Sequence, residues 1–168
     1  MNQSSKGFGT IASHQADLEK WEGEPHSEAI YPTSTFAYDS PESLIEIFKG
    51  EKKGYIYGRF TNPGVRAVEE KIAALEAWNL FDKNQQPLKL HAQLFSSGMG
   101  AISVMFLASL KAGNKVIAQG NLYGGTNELL ENFLSPIGIQ PLFTDLKNLN
   151  AVEQLLKENA DVKMIYIE

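Results

Sequence analysis

From residue 88 onward, the apolar and polar positions alternate between a period typical of strands and one typical of helices. The strand pattern occupies four short runs, at residues 88–95, 115–119, 139–144 and 163–168. Helical spacing occupies the segments between them, at residues 98–110, 126–134 and 148–159. Strands that alternate with helices predict an α/β fold with a mainly parallel, three-layer sheet. The helix at 98–110 is apolar nearly all round, which predicts that it is buried.

The clearest amphipathic helix lies earlier, starting at residue 63. Asn62 can cap it, and Pro63 suits its first turn. Its apolar side chains recur at helical spacing and form one stripe, at Val65, Val68, Ile72 and Leu75. The charged residues are expected on the other, solvated face; they are Arg66, Glu69, Glu70 and Lys71.

Residues 1–38 show no sustained period and are interpreted as an extended arm. Its apolar and aromatic residues predict that the arm packs on a second subunit. A short helix follows, with Ser40 as its N-cap, Pro41 in its first turn and Gly50 as its stop.

The chain is therefore divided into two predicted regions. Residues 1–58 form the arm with its short helix and make inter-subunit contacts, and residues 59–168 form a partial α/β domain. The sequence stops on a predicted strand, where a right-handed crossover normally follows. We therefore expect the chain to be the N-terminal part of a longer protein, truncated at the C-terminal end of this domain.

The composition excludes several classes of function. Lys plus Arg total 15 against 20 Asp plus Glu, a net charge of −5, which argues against a general nucleic-acid binder. The absence of cysteine excludes disulfides and thiolate metal sites, and the three histidines lack metal-ligand spacing, so no metal is expected. The N-terminus has no signal-peptide core, and no apolar helix approaches the roughly 20 residues of a membrane span. We expect a cytoplasmic protein without nucleic-acid or membrane partners.

The segment SSGMG (96–100) joins a predicted strand to a predicted helix. The amides of Gly98 and Met99 would point out of the helix N-terminus, where the helix dipole favours a phosphate. Ser96 and Ser97 can add hydroxyl groups. An ordinary glycine turn is the alternative. The segment matches neither the dinucleotide fingerprint nor the Gly-Lys-Ser/Thr of a phosphate-binding P-loop.

Tyr123 lies in GNLYGGT (120–126), after the neighbouring predicted strand. Ligands gather beyond the carboxyl ends of parallel strands, and an aromatic ring there can stack on a flat ligand. Packing over the sheet edge is the alternative.

Arg59 is one of only two arginines beside thirteen lysines. A guanidinium can bind a phosphate through two parallel hydrogen bonds, which a lysine cannot do. Tyr57 would face the same side if the segment is extended, and its hydroxyl could also donate. A salt bridge at the start of the following helix is the alternative for Arg59.

Together, these segments resemble the Cys/Met-metabolism family of pyridoxal-phosphate enzymes, which includes cystathionine γ-synthase, cystathionine γ-lyase, methionine γ-lyase and O-acetylhomoserine sulfhydrylase. The matching segments are YPTSTFAY (31–38), YGRFTNPGVRAVEEKIAALEA (57–77), SSGMGAISVMFLASLKAGNKVIA (96–118) and LYGGT (122–126). The resemblance implies the first half of a fold-type I large domain and pyridoxal 5'-phosphate as cofactor. It also implies an enzyme of trans-sulfuration that eliminates or replaces a group at the γ- or β-carbon of cystathionine, methionine or an O-acylhomoserine.

The resemblance also implies a role for each candidate residue. Tyr57 and Arg59 would bind the cofactor phosphate of the neighbouring subunit. Gly98 and Met99 would bind the phosphate of their own subunit through backbone amides. Tyr123 would be catalytic, stacking on the pyridine ring and assisting proton transfer. The full-length protein would be a homo-oligomer, a dimer with shared active sites assembled into a tetramer, and would act on a small amino-acid substrate.

Two departures from the family pattern qualify this expectation. No lysine lies in a Ser-x-Thr-Lys context, so the Schiff-base lysine is not in this chain. We therefore expect the chain alone to be inactive; a non-catalytic module for a phosphorylated ligand and a structural fragment are the alternatives. Gly125 stands where methionine γ-lyases often have cysteine, which favours a cystathionine enzyme or a sulfhydrylase.

Overall fold

The computed structural model describes residues 7–14 and 29–168, which separate into two compact units. The described residues up to Leu94 form the first unit, with helices α1 (Phe8–His14), α2 (Pro41–Phe48) and α3 (Pro63–Glu76). Phe95–Glu168 form the second unit. Its helices are α4 (Gly98–Ser109), α5 (Gly124–Glu128) and α6 (Leu149–Glu158). Its strands are β1 (Lys115–Gln119), β2 (Gln140–Thr144) and β3 (Val162–Tyr166).

The three strands form one parallel sheet in the order β2-β1-β3. In the central strand, Val116, Ile117 and Ala118 are completely buried. Burial on both faces is the environment that a parallel sheet requires. The predicted α/β fold with a parallel sheet is therefore confirmed.

The core of the second unit lies between β1 and the helices that flank it in sequence. Its buried members are Phe106, Leu110, Val116, Ala118, Leu122, Leu130, Leu134 and Ile139. After α5 the chain continues through a π-helical segment (Leu129–Leu134) and a 3₁₀ turn (Ser135–Ile137) to Gly138, whose φ is +92°. A Cβ at Gly138 would also lie 3.1 Å from that of Ala112, so both the backbone and the space favour glycine there.

The first predicted strand, at residues 88–95, is wrong. The segment is irregular, and no strand of the described residues pairs with it. The Leu88 amide donates to the Leu80 carbonyl, and the Leu94 amide donates to the Glu69 carboxylate. Alternation shows that a segment suits a strand, but a strand also needs a neighbour that accepts its hydrogen bonds.

The predicted burial of the apolar helix is also wrong. Within α4 only Phe106 is buried, whereas Val104 is 45% and Leu107 54% exposed. Apolar residues on every side show that a helix can be buried. They do not show which sides another element covers.

The burial of α3 differs from the predicted stripe. Val65 and Val68 are exposed, whereas Ala67 and Glu69 are buried. Glu69 is buried because its Oε1 accepts hydrogen bonds from Gln93 Nε2 and the Leu94 amide, both at 2.9 Å. A buried carboxylate with such partners cannot be distinguished from a solvated one by its spacing.

The interpretation of residues 1–38 as an extended arm is wrong for Phe8–His14, which are helical. This helix contacts α3, and the Phe8 ring lies edge-on to Trp78 at 5.4 Å between centroids. Residues 29–38 contain no helix. Residues 1–6 and 15–28 of the predicted arm lie outside the described residues. Inter-subunit packing of the arm and a domain boundary after residue 58 stay predictions.

Candidate active site

The start of α4 has two amides available for a ligand. Ser97 is extended, and its Oγ accepts a hydrogen bond from the Gly100 amide at 3.0 Å. The amides of Gly98 and Met99 have no acceptor among residues 7–14 and 29–168. Apart from its chain neighbours and the helix backbone, no heavy atom of the described residues lies within 4 Å of the position that a Cβ on Gly98 would take. Such a helix start can bind an anion.

Tyr123 presents an aromatic side chain at the start of α5. The residue is 66% exposed, so its ring is accessible. Both backbone polar groups of Tyr123 are hydrogen-bonded. The amide donates to Glu168 Oε2 at 2.6 Å, and the carbonyl accepts from the amides of Thr126 and Asn127. An accessible ring on a fixed backbone can stack on a flat ligand.

Gly125 brings the Tyr123 ring close to α4. A Cβ on Gly125 would lie 2.7 Å from Tyr123 Cε1 and 3.3 Å from Met99 Sδ. The side chains of Tyr123 and Met99 therefore both approach the space beside Gly125. The structure thus brings together three of the five predicted site residues, Gly98, Met99 and Tyr123.

Glu168 is a residue of this region that the sequence interpretation missed. Its Oε1 accepts hydrogen bonds from the Thr126 hydroxyl at 2.8 Å and the Tyr166 hydroxyl at 3.1 Å, in addition to the Tyr123 bond on Oε2. Hydrogen bonds from the Tyr123 amide and the Thr126 hydroxyl hold the pKa of the Glu168 carboxyl below its usual value. Its position after β3, where ligand sites gather in α/β sheets, was the available signal.

Two neighbours of Glu168, Thr126 and Tyr166, donate their hydroxyl groups to its carboxylate. Thr126 is completely buried, so its hydroxyl needs the partner that Glu168 supplies. Burial, together with the hydrogen bond to Glu168, raises the pKa of Tyr166 above its usual value. Tyr166 therefore stays neutral and continues to donate to the carboxylate in mildly alkaline solution.

Tyr57 and Arg59 lie in the first unit, in a tight turn rather than an extended segment. Tyr57 pairs with Thr35, and its carbonyl accepts the amides of Phe60 and Thr61. The turn places the Arg59 guanidinium carbon 5.2 Å from the Tyr57 ring centroid and 5.7 Å from that of Phe60. The two residues are therefore together, although the segment is a turn and not extended.

The alternative reading of Arg59, a salt bridge at the start of the next helix, finds no support in the part of the chain that the structure describes. Its side chain is exposed, and no carboxylate of those residues lies within 4 Å. Among the described residues, its positive charge is therefore not matched by a carboxylate.

Neither a metal site nor a membrane span is found where the structure can be described. Within residues 7–14 and 29–168, no group of three or more histidine, aspartate and glutamate side chains could hold a metal ion. No helix in the same ranges is long and apolar enough to cross a membrane.

The fold and the second unit's site define an α/β protein that can bind a phosphate beside a flat ring. The family model for the Cys/Met metabolism PLP-dependent enzymes matches residues 9–168. The chain belongs to this family of enzymes, whose cofactor is pyridoxal 5'-phosphate. The residues present fit that cofactor, because two amides with no acceptor among the described residues suit its phosphate and the exposed Tyr123 ring suits its pyridine.

Curated relatives agree with the family. The chain is 37% identical to an L-methionine gamma-lyase of Fusobacterium nucleatum, over 100% of this chain and 39% of the relative. It is 32% identical to an O-succinylhomoserine sulfhydrylase of Pseudomonas aeruginosa, over 96% of this chain and 36% of the relative. The chain thus spans less than two fifths of the length of these relatives.

Solved structures agree with the fold. The crystal structure of metB from Corynebacterium glutamicum superimposes with a TM-score of 0.80 at 28% identity, covering 99% of this chain and 38% of that one. Cystathionine gamma-lyase from yeast superimposes with a TM-score of 0.74 at 30% identity, covering 98% of this chain and 36% of that one. The chain therefore has the fold of part of a PLP-dependent enzyme.

Proposed function

We propose that the chain is the N-terminal portion of an enzyme that eliminates or replaces the group on the γ-carbon of a sulfur amino acid or homoserine ester. The observation that carries this proposal is the proximity of the Tyr123 ring to the start of α4, where two amides lack an acceptor among the described residues. This is the combination that a phosphate and a flat ring require. The family membership supports a PLP-dependent reaction in cysteine or methionine metabolism.

In the whole protein, the amides of Gly98 and Met99 bind the cofactor phosphate. The ring of Tyr123 stacks on the pyridine and fixes its plane, and its hydroxyl holds and transfers a proton near the substrate. When bound, the cofactor draws electrons from the substrate and makes elimination possible. The protein supplies the orientation, the proton transfer and the electrostatic environment.

The first unit contributes Tyr57 and Arg59 to the proposal. In a cytoplasmic homo-oligomer, their side chains bind the phosphate of a neighbouring subunit, which completes the charge balance begun by the α4 amides. The guanidinium of Arg59 suits this role because its rigid fork matches two phosphate oxygens.

Methionine is the substrate that we place first, because the Fusobacterium relative at 37% identity is an L-methionine gamma-lyase. Cystathionine or an O-acylhomoserine is the second candidate. Gly125 supports it, since the family resemblance implies that methionine γ-lyases often have cysteine there, and an O-acylhomoserine is also supported by the Pseudomonas sulfhydrylase at 32% identity.

The test is to purify the whole protein with pyridoxal 5'-phosphate and measure keto-acid release from methionine and cystathionine, and sulfide-dependent replacement on O-acetylhomoserine. We expect turnover of methionine, and a loss of about 10²-fold or more in kcat for Tyr123→Phe, because the phenol transfers a proton. The 168-residue chain alone is expected to be inactive, because it lacks the Schiff-base lysine. Cofactor binding without turnover of any substrate would support the non-catalytic alternative instead.

A further inference from the structure

The carboxylate of Glu168 joins two segments that are far apart in sequence. It follows β3, yet its hydrogen bonds reach Tyr123 and Thr126 at the start of α5. One carboxylate oxygen accepts the backbone amide, and the other accepts the Thr126 hydroxyl. Hydrogen bonds to an ionised carboxylate are shorter and stronger than those between neutral groups.

The backbone of Glu168 is itself fixed by the end of β1. Gln119 Nε2 donates to the main-chain carbonyl of Glu168 at 3.1 Å, and the Glu168 amide donates to Gln119 Oε1 at 3.4 Å. The carboxylate therefore extends from a main chain that the neighbouring strand holds in place. A group anchored in this way can fix what it binds.

What Glu168 fixes is the backbone that carries the Tyr123 ring. α5 has no side-chain cap of its own at Tyr123, so the Glu168 carboxylate is the side chain that binds the first amide. The Cβ that Gly125 lacks would fall within 3.3 Å of Tyr123 Cδ1, so the ring already lies against this turn. A shift of the turn would therefore move the ring.

We propose that Glu168 is a positioning residue, whose carboxylate holds the start of α5 so that the Tyr123 ring meets the flat ring of the cofactor. This inference rests on the proposed function for the role of Tyr123 and adds the group that orients it. Glu168 does not itself touch the reacting atoms in this proposal. It acts through the Tyr123 peptide.

The test uses the whole protein and measures cofactor affinity, the visible circular dichroism of the bound cofactor, and kcat and KM separately. Glu168→Gln keeps the size of the side chain and removes its charge. We expect cofactor affinity to weaken about ten-fold, since hydrogen bonds to a charged group are lost. We also expect the visible dichroism band to fall by at least half, and kcat to fall more than KM changes.

Two further variants separate positioning from stability. Thr126→Val is nearly isosteric in its buried site and removes the hydrogen bond that the Thr126 hydroxyl donates to Glu168 Oε1. It should therefore reproduce part of the Glu168→Gln effect. Glu128→Gln makes the same charge change at an exposed glutamate to which no hydrogen-bond partner is assigned among the described residues, and should match the wild type.

A double variant decides whether Glu168 acts through Tyr123. In a Tyr123→Ala background, Glu168→Gln should change cofactor affinity by less than about two-fold. The effects of two substitutions are not additive when one residue acts through the other. A purely structural role would give the full loss in both backgrounds, and that result would overturn the proposal.

The outcomes also distinguish this inference from the proposed function. If the wild-type protein binds the cofactor and Glu168→Gln behaves like Glu128→Gln, only the positioning role is overturned. If the wild-type protein does not bind pyridoxal 5'-phosphate, the proposed function fails and the positioning role fails with it.

Discussion

The two arginines differ in what surrounds their guanidinium groups. Arg66 Nε lies 2.8 Å from Glu70 Oε1, and its Nη1 lies 3.8 Å from Glu69 Oε2. Arg59 instead lies over the rings of Tyr57 and Phe60, with no carboxylate of the described residues in reach. The charge of Arg66 is matched within its helix, whereas no carboxylate in residues 7–14 and 29–168 matches that of Arg59.

Replacing Arg59 with lysine in the whole protein should therefore weaken the binding of pyridoxal 5'-phosphate. The charge remains, but the bidentate geometry is lost; a charge-assisted hydrogen bond is worth about 1.5–3 kcal/mol. Affinity should fall about ten-fold or more, measured by cofactor titration. Arg66→Lys is the matched control and should leave affinity unchanged. Equal affinities for both variants would contradict a phosphate role for Arg59.

Gly125→Ala should disturb the Tyr123 ring, because the added Cβ would lie 2.7 Å from Tyr123 Cε1. The ring is 66% exposed and can move away from the methyl group, so we expect the visible dichroism of the bound cofactor to change while the protein stays folded. Gly124→Ala is the control, since its added Cβ would have no atom of the described residues within 4 Å other than those of its chain neighbours and its own helix backbone. The visible dichroism of the bound cofactor measures the effect, and identical spectra for the two variants would show that the ring tolerates the methyl group.

The sequence was sufficient to name residues whose chemistry is rare or whose motif is distinct. Arg59 is prominent because arginine is scarce in this chain. Gly98 and Met99 are prominent because they lie in a glycine turn that precedes a predicted helix. The ring-positioning contacts of Gly125 and Glu168 could not be predicted. Glycine turns are common, and a glutamate after a strand gives no sign of which amide it will bind across the fold.

At the scale of elements, the caps were predictable and the burial was not. Asn62 caps α3 with its Oδ1 on the Gly64 amide at 3.0 Å, and Ser40 caps α2, as their side-chain chemistry predicts. Gly50, the predicted stop, has a φ of +74° just beyond α2. A cap depends on a few adjacent residues. Burial of α3 and α4, and pairing of residues 88–95, depend on distant parts of the chain.

The burial of Glu69 depends on residues far along the chain, and this dependence can be tested. Glu69 is 5% exposed and joins α3 to the irregular segment before Phe95. Glu69→Ala leaves the Leu94 amide without this acceptor, which costs about 1–3 kcal/mol locally.

Hydrogen exchange measures the effect of Glu69→Ala directly. The Leu94 amide should exchange about ten-fold faster or more in the variant. Glu76→Ala, at an exposed glutamate at the end of the same helix, is the control and should leave the exchange unchanged. Unchanged protection of Leu94 in Glu69→Ala would show that its amide is held by another group.

For the whole molecule, the central prediction is that active sites are shared between subunits. Arg59→Ala subunits should be mixed with subunits that lack the Schiff-base lysine, using the whole protein. If Arg59 acts across the interface, a mixed dimer has both lesions in one site and an intact second site. Half of the dimers are mixed, and each mixed dimer has one intact site of two. Activity should therefore return to about a quarter of the wild-type level. No recovery, with subunit exchange confirmed by mass spectrometry, would place Arg59 in its own subunit's site.

The strand order β2-β1-β3 has a consequence for how the chain assembles during synthesis. β1 is made first and lies in the middle, where Lys115 pairs with Gln140 on one side and with Val162 on the other. Of these three strands, each later one therefore joins an open edge of β1 and does not insert between two strands that have already paired. Domains form as the chain emerges from the ribosome, and long-range pairing is the slow step. The order of translation thus matches an outward order of assembly. A pause before β3 leaves one edge of β1 unpaired, which is the interval in which the nascent chain is most open to mispairing with another chain.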